Sequence, residues 1–316
     1  MSSARIRIGI SSCLLGQEVR FDGGHKHNGY ITESLGQFFE FVPFCPEVAI
    51  GLGIPRPPIR LVRHGQAIEA RGVKDPALDV TDKLTAYAGK VAAKLDAVSG
   101  YILKKNSPSC GMERVKVYTA KGMPVTTAAG IYAGALMEQL PELPFEEEGR
   151  LMDPVLRENF VERVFVYHRW QQLVHGRLTA RGLVEFHTRH KFIVLAHDEK
   201  SYRALGRLVA GAGRSGVAEL GRDYIRQLMA ALRKPATRTR HANVLQHITG
   251  FFKKQLGADD KRELQGLIDN YRRGQVPLVV PITMIRHYLR RFPDDYLAGQ
   301  YYLAPHPDEL MLRNQI

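Results

Sequence analysis

The feature that most constrains this chain is a change of hydrophobic rhythm near its midpoint. The first half alternates strand-like with helix-like segments, and the second repeats helix-like segments only. Ile6 to Ile10 alternates apolar residues with arginine as a strand does, and Phe38 to Phe44 (FFEFVPF) and Val98 to Lys104 (VSGYILK) are short β-branched or aromatic runs. Between the last two, Leu84, Tyr87, Ala88, Val91 and Leu95 recur at helical spacing. A second helix is expected over TTAAGIYAGALMEQL, ended by Pro141. Strands alternating with helices build βαβ units on a mostly parallel sheet, so residues 1–145 are expected to form a Rossmann-like α/β domain.

Residues 146–316 are expected to be an all-α domain. Asp153 reads as an N-cap with Pro154 at the first helical position, and an apolar stripe follows through Val155, Phe160, Val164 and Trp170. TARGLVEFHTRHKFIVLAH and RHANVLQHITGFFKKQL continue the pattern; Asp260 with Glu263 reads as a capping box before LQGLIDNY, and PITMIRHYLRRF adds a further helix. There is no internal repeat and no low-complexity segment.

Composition follows the same division. Among 316 residues, 45 Lys and Arg face 32 Asp and Glu, a net charge of +13. Residues 1–150 hold 18 basic and 16 acidic residues; residues 151–316 hold 27 and 16, a net +11. The 44% hydrophobic and 24% charged fractions are those of an ordinary globular chain and exclude a disordered or fibrous one. No stretch approaches the roughly 20 apolar residues that span a bilayer. The opening residues lack the apolar core of a signal peptide. Three cysteines cannot close a disulfide framework, so a reducing cytoplasm is the expected compartment, with no membrane partner.

All three cysteines lie in the first half, each shortly after an expected strand: Cys13 in ISSCLLG, Cys45 in FCPE and Cys110 in SPSCG. Loops beyond the carboxyl ends of parallel strands line one crevice, so three thiols with 31 and 64 residues between them can converge there. A free cysteine is more often a small buried hydrophobe. Three of them beside Gly, Pro and Ser, none within an apolar helix stripe, read as ligands. Soft thiolates favour zinc, copper(I) or an iron-sulfur cluster, and three of them would leave one iron of a [4Fe-4S] cluster open to substrate. Asp22 and Lys26 lie on a Gly-containing loop after Cys13, Glu47 follows Cys45, and Ser107 and Ser109 precede Cys110. Singly these are turn and cap residues; beside three thiols they supply acid-base and hydrogen-bonding groups.

ISSCLLGQEVRFDGGHK, PFCPE and LKKNSPSCG, in that order, resemble the TudS-type thiouracil desulfidase family. The basic helical half is similar to the YbgA-type domain fused to such domains, and the pairing resembles bacterial tRNA 4-thiouridine desulfidases. The resemblance implies a [4Fe-4S] cluster held by Cys13, Cys45 and Cys110, whose fourth iron takes the sulfur of a thiolated uracil. The reaction implied is non-redox desulfuration of 4-thiouridine in tRNA to uridine with release of hydrosulfide. Free thiouracil or thio-UMP is the alternative substrate. Glu47 is the expected base, with Ser107 or Ser109 orienting the pyrimidine or carrying a proton and Asp22 a weaker candidate.

The basic half is expected to hold RNA rather than DNA, since clustered cations attract phosphates without regard to sequence. RKPATRTRH carries Arg238 and Arg240; with Lys26 and Lys104 of the first half, these are the candidate substrate contacts. Tyr271, Tyr288, Phe251 and Phe252 are available for stacking on bases, although aromatics at helical spacing are more often core. His187 and His190 stand three apart on one expected helix, but without a His-Glu-x-x-His motif they do not suggest a second metal site. The rival reading of another class is a non-catalytic RNA-binding protein whose thiols hold a structural metal; a redox sensor is a third.

Overall fold

In the computed structural model, which describes residues 5–213 and 216–316, the chain separates into two units, Met1–Met152 and Asp153–Ile316. In chain order the first unit comprises β1 (Ile6–Ser11), β2 (Phe39–Phe44), α1 (Pro46–Ala49), β3 (Ile59–His64), β4 (Ala67–Gly72), α2 (Thr81–Ala92), β5 (Tyr101–Leu103), β6 (Val115–Tyr118), β7 (Pro124–Ala128), α3 (Ile131–Gln139) and β8 (Phe145–Glu147).

One sheet is parallel throughout, in the order β2-β1-β5-β8. This is the α/β core that the alternating pattern predicts. Its central strands are covered on both faces, so Ile8, Ile10, Tyr101, Ile102 and Leu103 are fully buried. Gly9 sits against Tyr101, whose ring a Cβ at residue 9 would approach to 2.4 Å. The absence of a side chain there lets the aromatic pack across the strand pair.

A second sheet, in the order β4-β3-β6-β7, mixes antiparallel hairpins with a parallel β3–β6 pair. The periodicity does not announce it: β6 is only four residues long, and Thr126 to Ala128, expected as helix, belong to edge strand β7. The helix starts only at Ile131, because Gly130 is extended (φ −63°, ψ 148°). The acidic stretch at which the composition changes contains β8, where Glu146, Glu147 and the following Glu148 are all buried at the sheet edge.

Among the described residues the second unit is helical: α4 (Pro154–His175), α5 (Ala180–His197), α6 (Glu199–Ala210), α7 (Val217–Leu232), α8 (Arg238–Thr249), α9 (Ala258–Arg272), α10 (Val279–Arg291) and α11 (Asp295–Ala298). Asp153 caps α4 by accepting from the N–H groups of Val155 and Leu156, and Thr179, Asp198 and Thr237 cap α5, α6 and α8 similarly. The expected capping box at Asp260 is not the start of α9. Gly257 holds the cap position, and Asp259 and Asp260 lie in the first turn, where carboxylates favour the positive end of the helix dipole. Among the described residues no helix is long and apolar enough to cross a membrane.

The core of this unit contains ions. Glu158 and Glu162, on successive turns of α4, receive Arg313 Nε and Nη2, each at 3.3 Å; His197 Nε2 stands 2.8 Å from Glu162, and all four side chains are buried. Burial opposes protonation of His197, but the Glu162 hydrogen bond and charge outweigh it and raise its pKa. Burial, reinforced by the Lys191 charge, lowers His187 to about 4; it also dominates at His241, lowered to about 3, and pushes His190 well below its usual range. His187 faces the Tyr224 hydroxyl and His190 stacks 4.0 Å from Phe186, so both serve packing. Tyr271, Tyr288 and Phe252 are core residues as well; Phe251 is partly exposed and stacks on Tyr296.

Candidate active site

Each cysteine sits where a parallel strand ends. β1 runs into a short 3-10 turn carrying Cys13, whose carbonyl accepts from the Lys26 N–H (2.9 Å). β2 runs into Cys45, the residue before α1, its thiol 3.7 Å from the Val19 carbonyl. β5 leads into the loop of Cys110, which is seated on the start of α3: the N–H groups of Gly130, Ile131 and Ala133 donate to the carbonyls of Gly111, Pro108 and Ser109 at 2.8–3.0 Å. A Cβ at residue 130 would lie 2.6 Å from the Ser109 carbonyl group, so glycine permits that seating.

The three thiols line one cavity of about 350 Å³. Burial raises the pKa of each: Cys13 to about 11, with Lys104 and Arg20 acting in the opposite direction, Cys45 upward, and Cys110 well above its ordinary value. Thiolates at such positions require added positive charge, which a bound metal supplies. Three thiols lining one cavity make a soft donor set of the kind that fits an iron-sulfur cluster. Among the described residues no three His, Cys, Asp or Glu side chains are grouped to hold a single ion.

Glu47, in α1, lines the same cavity and is held from two sides. Its Oε2 accepts from Arg56 Nε and Nη2 (2.9 and 2.8 Å), and its Oε1 accepts from the Ser109 hydroxyl (2.9 Å). Arg56 is buried and also donates to the carbonyls of Gly53 and Val19. The two serines thereby separate. Ser109 is fully buried behind Glu47, whereas Ser107 lines the cavity, with its Oγ accepting from the N–H groups of Ser109 and Cys110.

Of the remaining sequence candidates, Lys26 and Lys104 line the cavity. Lys104 Nζ is 2.5 Å from Glu148 Oε1, and Glu148 Oε2 accepts from the Lys105 N–H. Asp22 lies outside that lining. Its carboxylate accepts from the Gly24 N–H, which lowers its pKa, in a turn where Gly23 has φ +75°. Arg238 and Arg240 are in the second unit, in the first turn of α8; Arg238 donates to the Tyr271 carbonyl and Arg240 to that of His197. Sequence reasoning misses Arg56 and Glu148. Arg56 stands in a proline-rich stretch (IPRPP) with no neighbouring carboxylate to mark it, and Glu148 falls in an acidic run that reads as a boundary between domains.

A thiol-lined crevice at the strand ends of a parallel sheet, with one fixed carboxylate, defines the first unit. Residues 8–148 match the family model of 2-thiouracil desulfurase, and residues 191–307 match a protein family of unknown function, DUF1722. The chain belongs to the 2-thiouracil desulfurase family through its first half, joined to a YbgA-like second half. It is 35% identical over 153 residues to the uncharacterized protein YbgA of Escherichia coli, covering 48% of this chain and 90% of that one. It is 33% identical over 136 residues to the uncharacterized protein YbbK of Bacillus subtilis, covering 41% and 88%. A solved structure described as the [4Fe-4S]-dependent thiouracil desulfidase TudS is 30% identical, covers 47% of this chain and 95% of that chain, and has a TM-score of 0.38.

Proposed function

We propose that this chain is an iron-sulfur-dependent desulfidase converting 4-thiouridine in tRNA to uridine with release of hydrosulfide. The observation that carries the reading is the meeting of three thiols with the Glu47–Ser109–Arg56 set at one cavity, inside the segment that matches the 2-thiouracil desulfurase family. Cys13, Cys45 and Cys110 would hold a [4Fe-4S] cluster with one iron free of protein ligands. Bound there, it would supply an open Lewis-acidic position suited to a soft thiocarbonyl sulfur.

The chain's own groups provide the proton chemistry. Glu47, oriented by Arg56 and Ser109, takes a proton from the water that adds to the thiocarbonyl carbon. Ser107 has its oxygen engaged by two backbone N–H groups, so its hydroxyl hydrogen is available to the pyrimidine. The carbon keeps the oxygen of water, its bond to sulfur breaks, and sulfur leaves as hydrosulfide with one further proton released; no electrons are exchanged. The tRNA assignment is supported by the net +11 of residues 151–316 and by exposed pairs such as Lys253 with Lys254 and Arg272 with Arg273.

The test is anaerobic incubation of the iron-loaded protein with native tRNA, followed by nucleoside mass analysis and sulfide determination. Loss of 4-thiouridine matched by uridine and sulfide is expected. Conversion of free 4-thiouracil without conversion of tRNA would remove the tRNA assignment and leave the desulfidase; conversion of neither would overturn both.

A further inference from the structure

The three thiols differ in what faces their sulfurs. Cys13 has the charges of Lys104 and Arg20 near it, and Cys45 accepts hydrogen bonds from the backbone N–H groups of Val48 and Glu47 beside the Arg56 charge. Around Cys110 the charges run the other way. Glu47, Cys45 and Cys13 all oppose a negative sulfur there, and the favourable contact is a hydrogen bond from the Ser11 hydroxyl. Ser11 is the last residue of β1, is 2% exposed, and lines the thiol cavity. It stands where three strands finish: on one side it pairs with Phe44, the residue before Cys45, and on the other the last β1–β5 pair is Ile10 with Ile102. Beyond that pair the Lys104 N–H donates to Ser11 Oγ at 3.0 Å, so a side-chain oxygen continues the main-chain ladder. With its oxygen engaged by Lys104, the hydroxyl turns its hydrogen to Cys110, and the two bonds form one chain in which each polarises the other.

We propose that Ser11 is a positioning residue for the iron-sulfur centre, its hydroxyl fixing the Cys110 sulfur and drawing electron density from the iron that this sulfur binds. The inference rests on the reading that the three thiols hold a cluster, and it assigns the tuning of that cluster to one side chain. A hydrogen bond to a ligand sulfur stabilises the more negative, reduced state, so it raises the reduction potential. Outer-shell partners of this kind are typically worth about 10–100-fold in metal affinity. An electron-poor iron is also the better Lewis acid toward a thiocarbonyl sulfur. Ser11 thus acts through Cys110 and not on the substrate.

The experiment compares the anaerobically reconstituted full-length protein with its Ser11→Ala and Ser11→Thr variants. Redox titration followed by electron paramagnetic resonance gives the midpoint potential of the cluster, and titration with a chelator gives its hold on iron. Ser11→Ala is expected to move the midpoint to more negative potential and to give up iron at about 10–100-fold lower chelator concentration. Ser11→Thr, which keeps the hydroxyl, is expected to restore the potential. After exchange into deuterium oxide, pulsed resonance of the reduced cluster is expected to show one deuteron coupling in the unmodified protein and in Ser11→Thr that Ser11→Ala lacks. A merely structural role would weaken the hold on iron while leaving potential and coupling in place, and that result overturns the proposal. Absence of any exchangeable coupling from the unmodified protein overturns it too, even where Ser11→Ala does not fold. If 4-thiouracil is still desulfurated in those cases, only the role of Ser11 falls; if the unmodified protein assembles no [4Fe-4S] cluster, the desulfidase reading falls with it.

Discussion

Glu47, the base in the proposed reaction, has its two oxygens fixed by three donors. Glu47→Gln keeps the shape and removes the base. Desulfuration is expected to fall by about 10²–10⁴, the usual contribution of a general base, with iron per chain unchanged; sulfide release and iron determination on the same preparation check it. Arg56→Met leaves the carboxylate without its buried counter-ion, which costs about 3–5 kcal/mol. Thermal unfolding is the readout. Residues of this kind differ in how far a sequence displays them. The cysteine motifs are local and visible, but Ser107 and Ser109 are equivalent on paper, and only the fold puts one behind Glu47 and the other on the cavity wall. Arg56 is silent because its partner lies nine residues away, across a turn.

Strand ends and one helix start set the geometry of the three thiols. The Cys110 loop is the most constrained, since three N–H groups from the beginning of α3 hold its carbonyls and Gly130 allows the close approach. Gly130→Ala drives a methyl group into backbone that cannot yield cheaply. The expected loss is about 1–3 kcal/mol of stability, with a lower iron content after anaerobic reconstitution, measured by unfolding and iron analysis; full iron retention would show that the seating is dispensable. The legibility of elements follows the strength of their local signals. The start of α4 is plain because Asp153 and Pro154 are a cap and a first-turn residue in sequence. β6 and β7 are short, carry a cation or threonines, and gain their identity from pairing across the sheet. An Ala- and Thr-rich run preceding α3 therefore passes for helix. α6 and α7 go unread although both carry an apolar stripe, through Leu205 and Val209 in the first and Leu220, Tyr224, Leu228 and Leu232 in the second, and Asp198 caps the first of them directly.

At the scale of the whole chain, the division into an α/β unit and a helical unit is visible in periodicity and charge, whereas the ions and histidines inside the helical unit are not. Its titration behaviour comes from that interior. His187 and His241, with pKa values lowered to about 4 and about 3 by burial, are neutral in the folded state but take a proton near pH 6.5 when unfolded. The unfolded state therefore binds more protons below that pH. Their contribution is intact above about pH 6.5 and is lost as pH falls toward 4. His197, with its raised pKa, works in the opposite sense: its contribution is present below about pH 6.5 and lost as pH rises through the folded value. His190, pushed well below its usual range by burial, acts with the first two. Three groups outweigh one, so the unfolding midpoint of this unit is expected to drop by on the order of 10 °C between pH 7 and pH 5, as calorimetry at the two pH values would show. The Glu158–Glu162–Arg313 cluster has a further consequence, in the order of synthesis. The two carboxylates lie at the start of α4, but their cation is 155 and 151 residues further along. A nascent chain that has not yet reached Arg313 must keep both glutamates out of the interior. The helical unit thus closes around its charges only once Arg313 has been made, while the thiol-bearing unit already has every residue it needs.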